Sequence, residues 1–288
     1  MNLVAAKLRG VSYIYSEKTP FMKVAVDNVD AAFEEGMITG IIGHTGSGKS
    51  TIAQMINGLL RPSAGNVIVG GRDIWEKPKE IRNVRFEAGL VFQYPEYQLF
   101  EETVKKDIAF GPSNMGLSAE ETETRVYEAM DFVGLDRSFA EKSPFDLSGG
   151  QKRRVAIAGI IAMRPRILIL DEPAAGLDPR GRDEILSRIC EYRSKYGASV
   201  VMISHSMEDM ARYCDRILVM NGGKVFMCGT CEEIFSEAER LESVGLAVPQ
   251  ITKLMLELKR RGFDVNTAVY TVDSAEAEVR RLITGGAK

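Results

Sequence analysis

The stretch Gly43-His44-Thr45-Gly46-Ser47-Gly48-Lys49-Ser50-Thr51 constrains this chain more than any other. It follows the apolar run Met37–Ile42 and precedes Thr51-Ile52-Ala53-Gln54-Met55-Ile56, which has the look of a helix, so the strand, loop and helix that a G-x-x-x-x-G-K-S pattern needs are all present. Glycines at 46 and 48 let the backbone curl until successive N–H groups point inward, making an anion nest at the positive end of a helix. A polyphosphate fits such a nest. Lys49 then reaches the terminal phosphates as a point charge, Ser50 is placed to ligate Mg²⁺, and Thr51 to hold the phosphate nearest the sugar.

Composition narrows the partners. The chain has 288 residues, enough for about two domains, and 37 basic residues against 40 acidic ones give a net charge of −3. That balance lacks the basic excess of a nucleic-acid footprint, and no DNA or RNA binding is expected. The longest apolar run, Val155–Met163, falls short of the ~18 residues a membrane span requires, and no basic start with an apolar core opens the sequence. The expectation is a cytoplasmic protein. Four cysteines do not suggest a disulfide scaffold, and Cys228-Gly229-Thr230-Cys231 has no second pair or histidine beside it, the histidines being His44 and His205. It is read as a loop pair and not a zinc site.

Taken in order, Leu3–Tyr15 and Lys23–Phe33 alternate apolar and polar residues as strands do, with turns at Asp27-Asn28 and Glu35-Gly36. Tyr15 ends the first strand; its ring either stacks on a nucleobase or packs at the strand end. The helix from Lys49 should stop near Leu60, before Pro62. Asn66–Ile74 reads as a hairpin turning at Gly70-Gly71, and Gly89–Phe92 as a buried strand delivering Gln93. From Tyr94 to about Pro144 the sequence turns helical and polar, with Ser118 and Glu121 as a capping pair and an apolar face at Val126, Met130 and Val133 closed by Gly134. This segment, with the helix through Met163, is expected as a helical subdomain inserted over about 94–163.

Leu147-Ser148-Gly149-Gly150-Gln151 opens that last helix. Free N–H groups, the helix dipole and a hydroxyl make it either a second anion-binding end or a loop closed by an N-cap. The continuous apolar run Ile167–Leu170 has the character of a parallel, doubly buried strand, and it ends in Asp171-Glu172-Pro173. Carboxylates at that edge face the ligand crevice: Asp171 is placed to hold Mg²⁺, Glu172 to polarise an attacking water as general base. Ser199–Ser204 is another buried strand, delivering His205 to the same edge for a hydrogen bond to a terminal phosphate.

Tyr15, Gly43–Thr51, Gln93, Leu147–Gln151, Ile167–Glu172, Ala175-Gly176-Leu177-Asp178 and His205, in this order, resemble the nucleotide-binding subunits of ATP-binding cassette transporters. The resemblance runs from about Leu3 to Phe235. It implies an α/β fold: a P-loop ATPase core with a mostly parallel sheet, an N-terminal antiparallel β layer, the helical insertion and a small α/β C-terminal extension. It implies ATP and Mg²⁺ as cofactors, Gly43, Gly46, Ser47, Gly48, Lys49, Ser50 and Thr51 on the phosphates, and Tyr15 stacked on adenine. Ser50, Gln93 and Asp171 would serve the metal, and Glu172, Gln93 and His205 catalysis. Ser148, Gly149, Gly150 and Gln151 would close in trans over ATP held by a second subunit. Two subunits head to tail would thus turn binding energy into dimer closure.

Phe92–Val104, Asp107–Pro112, Ser143-Pro144-Phe145 and Gln151–Gly159 narrow the likeness to ATPase subunits of energy-coupling-factor transporters, importers of vitamins and transition-metal ions. That implies a transmembrane coupling subunit docked near Tyr94–Phe110, a separate membrane substrate-binding subunit, and a peripheral position on the cytoplasmic face of the membrane. Glu96, Glu101, Glu102 and Asp107, interleaved with Tyr94, Tyr97, Leu99 and Phe100, would offer acceptor carboxylates and apolar anchors to a basic helix; the alternative is a solvated acidic face over an aromatic cluster. His44-Thr45 resembles one of two paralogous ATPases and points to a heterodimer, an identical pair remaining open. Cys231 stands where relatives often have proline in a Gly-Thr-Pro turn, which questions the stiffness of that turn.

The domain expectation is a cassette over 1–235 and an extension over 236–288. In the extension, Pro249–Arg261 is a helix stopped by Gly262, Phe263–Val272 a short strand, and a last helix capped by Asp273 and Glu276 ends near Ile283. These helices either add to the subunit interface or pack on their own cassette. Competing functions are the ATPase of another importer of the class, a soluble non-transport cassette protein, and a nucleotide sensor without turnover. A base at Glu172 speaks against the last, and the lack of a coiled-coil insertion or basic surface against the second.

Overall fold

Alternating burial along β1 (Val4–Tyr15) and β2 (Lys23–Glu34) pairs them antiparallel, and β4 (Ala64–Val69) and β5 (Arg72–Asp73) extend this layer in the order β2-β1-β4-β5. The computed structural model describes residues 3–285. A second sheet is built from β3 (Ile38–Gly43), β6 (Ala88–Val91), β7 (Ile167–Asp171), β8 (Ser199–Ile203), β9 (Arg216–Asn221) and β10 (Lys224–Thr230), ordered β10-β9-β3-β8-β7-β6. All its pairings are parallel except that of β10 with β9.

The parallel strands are apolar throughout because both their faces are covered. Leu168 and Leu170 of β7 face one core and Ile167 and Ile169 the other. The first core packs against α3 (Val104–Asn114), α4 (Ala119–Phe132), α5 (Gly149–Ile161), α6 (Pro179–Tyr196) and α7 (Met207–Tyr213). The second core lies between the sheets, where Ile52, Met55 and Ile56 of α1 (Lys49–Ile56) meet Leu8, Val11 and Phe33 of the antiparallel layer. Both sides of β3 are thereby fixed, and with them the loop that leaves its end. Helices α3, α4 and α5 pack on one another between β6 and β7; α2 (Ile81–Glu87) precedes β6.

Several local expectations change. Asp27-Asn28 is not a turn: β2 runs on through a bulge at Asn28, whose left-handed φ of 48° sits where the pairing of β1 with β2 shifts register. Helix α1 ends at Ile56, because Gly58 adopts φ 72° and lies so close to Ile81 that a side chain there would meet it at 2.6 Å. Ser118 caps α4 as expected, accepting from the Glu121 N–H, but the Glu121 carboxylate pairs with Arg125 instead of returning to the cap.

Helix α8 (Cys231–Ser236) closes the cassette, and in the extension α9 (Ala238–Ser243), α10 (Gln250–Arg260) and α11 (Val272–Gly285) are joined by irregular chain. The strand expected over Phe263–Val272 does not form, so the described extension is helical and not α/β. Its Val265 and Val269 are buried against Met255 and Ala275, and the Thr252 hydroxyl donates to the Val269 carbonyl, which leaves the segment without a strand partner. Thr271, not Asp273 or Glu276, begins α11: its hydroxyl accepts from Ser274 N–H, and the Ser274 hydroxyl accepts from Thr271 N–H. The extension lies on its own cassette through the Tyr270 and Phe235 rings, 5.8 Å apart, and the Gln250 N–H on Glu208, while Leu254, Phe263 and Ile283 remain exposed. The turn at Cys231 is held without proline by a capping box between Thr230 and Glu233.

Candidate functional site

Four parallel strands deliver four chemistries to one edge: the glycine loop after β3, Gln93 after β6, Asp171 and Glu172 at the end of β7, and His205 after β8. A cleft of about 230 Å³ opens there, lined by Tyr15, Gly46, Gly48, Lys49, Ser50, Thr51, Gln93, Asp171, Glu172 and His205, with Lys23, Ala25, Thr45 and Ile203. Ten of the residues picked from sequence share this wall. Gly43 and Ser47 lie buried within the loop behind it. Gly43 has φ 150°, and a side chain there would fall 2.3 Å from the Met220 carbonyl, so only glycine lets β3 turn into the loop beside β9.

Lys49 is almost fully buried and donates from Nζ to the carbonyls of Gly43 and His44, at 2.7 and 2.8 Å. Burial lowers its pKa, opposed by the carboxylates of Glu172 and Asp171. Asp171 is pushed up by burial and drawn back by a hydrogen bond from Ser50. Glu172 is pushed up to about 7, mainly by burial and further by its neighbour Asp171. Its Oε1 is buried without a hydrogen bond, 3.6 Å from His205 Nε2. The Glu172 backbone is left-handed, φ 53°, held by its N–H on the Ile203 carbonyl at 3.0 Å and by its own carbonyl accepting from Ala175. Strain of this kind costs about 1–3 kcal/mol and persists where neighbours enforce it. Burial also lowers the pKa of His205, with the Lys49 charge adding to the effect.

The donor set fits a hard divalent cation. The Ser50 hydroxyl, the Gln93 amide and the Asp171 carboxylate are oxygen ligands suited to Mg²⁺, and two adjacent carboxylates, both raised in pKa, leave room for positive charge between them and a polyphosphate. Ser47 Oγ, buried in the loop with no hydrogen-bond partner, is a second group whose bonding needs are left open.

Tyr15 sits at the mouth, its hydroxyl 3.3 Å from Thr51 Oγ1 and its ring edge-on to Tyr13 at 4.8 Å. The ring is held by these two contacts and still 37% exposed, so surface is left for stacking.

Ser148, Gly149, Gly150 and Gln151 do not join the cleft. Ser148 and Gln151 close a capping box on α5, and a side chain built on either glycine would meet nothing within 4 Å. The loop thus presents free N–H groups to solvent on a surface of its own. What sequence reading missed is the bond that ties it down: Arg153, one turn into α5, donates through Nε and Nη2 to the two oxygens of Glu96, at 3.1 and 2.9 Å, and through Nη1 to the Ala175 carbonyl. Arg153 is 4% exposed. Glu96 is therefore an internal partner and not an acceptor for another protein. Asp107 likewise accepts the N–H groups of Phe100 and Glu101, Glu102 pairs with Lys106, and Leu99 is in the core. Of the expected docking surface, the aromatic part stands out: Tyr94, Tyr97, Phe100 and Phe110 are exposed, with Phe100 and Phe110 edge to face at 4.9 Å.

A loop of this form between a parallel strand and a buried helix, with acidic groups at the neighbouring strand end, defines a P-loop nucleotide-binding protein. The family model described as "ABC transporter" matches residues 26–175. The chain is 56% identical to the energy-coupling factor transporter ATP-binding protein EcfA2 of Caldanaerobacter subterraneus subsp. tengcongensis, covering 97% of this chain and 98% of that one, and 51% identical to the protein of that name from Clostridium perfringens over 97% and 99%. Among solved structures, cbiO1 from Clostridium perfringens, described as part of the ABC transporter complex cbiONQ, superposes with a TM-score of 0.74 at 37% identity, over 89% of this chain and 100% of that one. A dimeric ATP-binding cassette in a post-hydrolysis state bound to ADP and Pi superposes at 0.71 with 29% identity, over 78% and 98%. The chain belongs to the ABC transporter family, in its branch of energy-coupling factor ATP-binding proteins. It is an ATP-binding, ATP-hydrolysing protein of that class.

Proposed function

We propose that this chain powers import of vitamins or transition-metal ions by an energy-coupling-factor transporter, as the subunit that converts ATP binding and hydrolysis into closure and opening of an ATPase dimer. The observation that carries this reading is the separation within one subunit of the cleft from the Ser148–Gln151 loop. Each subunit owns two half-sites that cannot meet each other. A second copy, identical or paralogous, placed head to tail would lay its Ser148, Gly149 and Gly150 over the nucleotide in this cleft.

In such a pocket Tyr15 stacks on the base, and the loop N–H groups and Lys49 hold the phosphates. Ser50, Gln93 and Asp171 would hold Mg²⁺, which supplies charge neutralisation at the β- and γ-phosphates. Glu172, ionised, takes the proton of the attacking water, and His205 orients against the γ-phosphate. Oε1 of Glu172 has no competing hydrogen bond, so this oxygen is free to accept that proton. Turnover should therefore depend on assembly: the specific rate rises with protein concentration until the dimer saturates. A rate per subunit that stays constant and maximal on dilution to monomer would sink the reading.

The transmembrane coupling subunit docks on Tyr94, Tyr97, Phe100 and Phe110, and a separate membrane protein binds the substrate. No described helix is long and apolar enough to cross a membrane, and the chain sits peripherally on the cytoplasmic face. Exposed aromatic clusters of this kind carry much of the energy of an interface. Tyr97→Asp with Phe100→Asp should leave ATP affinity within twofold and abolish copurification with the membrane subunits and vesicle uptake. Full uptake by that double variant would remove the docking assignment.

A further inference from the structure

Lys23 is the first residue of β2, and in the β1–β2 ladder it lies directly opposite Tyr15. It also lines the cleft, and its Nζ lies 3.7 Å from the point where a side chain on Gly46 would begin. Register and distance together place its ammonium between the base platform at one end and the middle of the phosphate loop at the other. Among the described residues, no ion pair or hydrogen bond occupies that ammonium. The other lysine of the cleft, Lys49, already gives two of its three N–H donors to the carbonyls of Gly43 and His44 and has one left for phosphate. Asp171 and Glu172 line the same cleft with two carboxylates. A nucleotide that stays anionic even with a divalent cation therefore meets one buried lysine, two acids and one uncommitted cation.

We propose that Lys23 is a further nucleotide-binding residue, its ammonium contacting phosphate oxygens on the base side of the polyphosphate. This rests on the assignment of the cleft to ATP. Lys23 is solvent-exposed in the free protein, so its substitution removes a charge without opening a cavity. The contact is formed with the bound nucleotide and does not touch the water-activating groups, so it acts on affinity and not on the chemical step.

Equilibrium binding of ATP and ADP to the full chain tests it, with hydrolysis measured in parallel. Lys23→Ala and Lys23→Gln should each raise Kd by about tenfold, the order expected of one charge-assisted contact, for both nucleotides, with kcat at saturating ATP unchanged. Lys23→Arg should restore affinity. The gap between Lys23→Gln and the natural chain should narrow as salt is raised, because an exposed charge is screened. Lys49→Ala is the control for the site itself and should lose binding. If Lys49→Ala loses ATP while Lys23→Ala and Lys23→Gln bind as the natural chain does, Lys23 has no role and the cleft assignment stands. If Lys49→Ala binds normally, the cleft assignment fails and the proposal with it.

Discussion

Glu172→Gln should lower ATP turnover by at least about 100-fold while ATP binding is kept and the nucleotide-bound dimer becomes longer-lived. A positioned general base contributes roughly 10²–10⁴ in rate, and the amide cannot accept the proton of water. The substitution is close to isosteric, so the left-handed backbone at 172 and its hydrogen bonds to Ile203 and Ala175 are kept. It also removes a charge that is unfavourable in the free protein. Burial and Asp171 hold the Glu172 carboxyl up at about 7, so a neutral side chain there should bind an anionic nucleotide at least as well. Binding and turnover consequently move in opposite directions, which a general loss of folding could not produce. Single-turnover hydrolysis and the elution volume of the variant with ATP check both halves. Turnover within a few-fold of the natural chain would reassign the base, with His205, 3.6 Å from Glu172 Oε1, as the neighbour to test next.

The parts of the site legible in sequence are those whose geometry is forced locally. Glycine is the only residue that can occupy position 43 beside the Met220 carbonyl, so the loop announces itself. A run such as Ile167–Leu170 can only be a strand covered on both faces, and a parallel sheet must bring the C-terminal ends of its strands to one edge. That is why Asp171, Glu172 and His205 could be placed at one edge from the strand pattern, whereas the part of Gln93 came from the family resemblance. The misses all depend on distance in the chain. Lys23 acquires meaning only through its register with Tyr15, and Glu96 looked like a free surface acid until α5 brought Arg153 to it from 57 residues away. Phe263–Val272 has the alternation of a strand, but alternation needs an edge to pair with, and the extension packs its valines into a small helical core instead.

The Arg153–Glu96 pair carries the second large expectation. Arg153 links three segments: α5, whose start is the Ser148–Gln151 loop; the turn after Gln93, through Glu96; and the chain after Glu172, through the Ala175 carbonyl. The two side chains are 5% and 15% exposed, so removing one partner leaves an almost dry charge. Loss of one member of a buried pair costs about 3–5 kcal/mol, and for a chain of this size that corresponds to a fall in Tm of roughly 10 °C. Arg153→Met alone and Glu96→Leu alone should each show that loss in thermal denaturation. Combining them fills the same space with apolar atoms, and such replacements of buried ion pairs are commonly neutral; the double variant should regain most of the stability. It should not regain full hydrolysis, because the directional grip of one guanidinium on Gln93's loop, the α5 start and the chain beyond Glu172 is gone while ATP binding at the glycine loop is untouched. Stability restored together with full turnover would mean the pair only holds the fold. Stability restored without turnover would identify Arg153 as a positioning residue that keeps the two half-sites of one subunit in register.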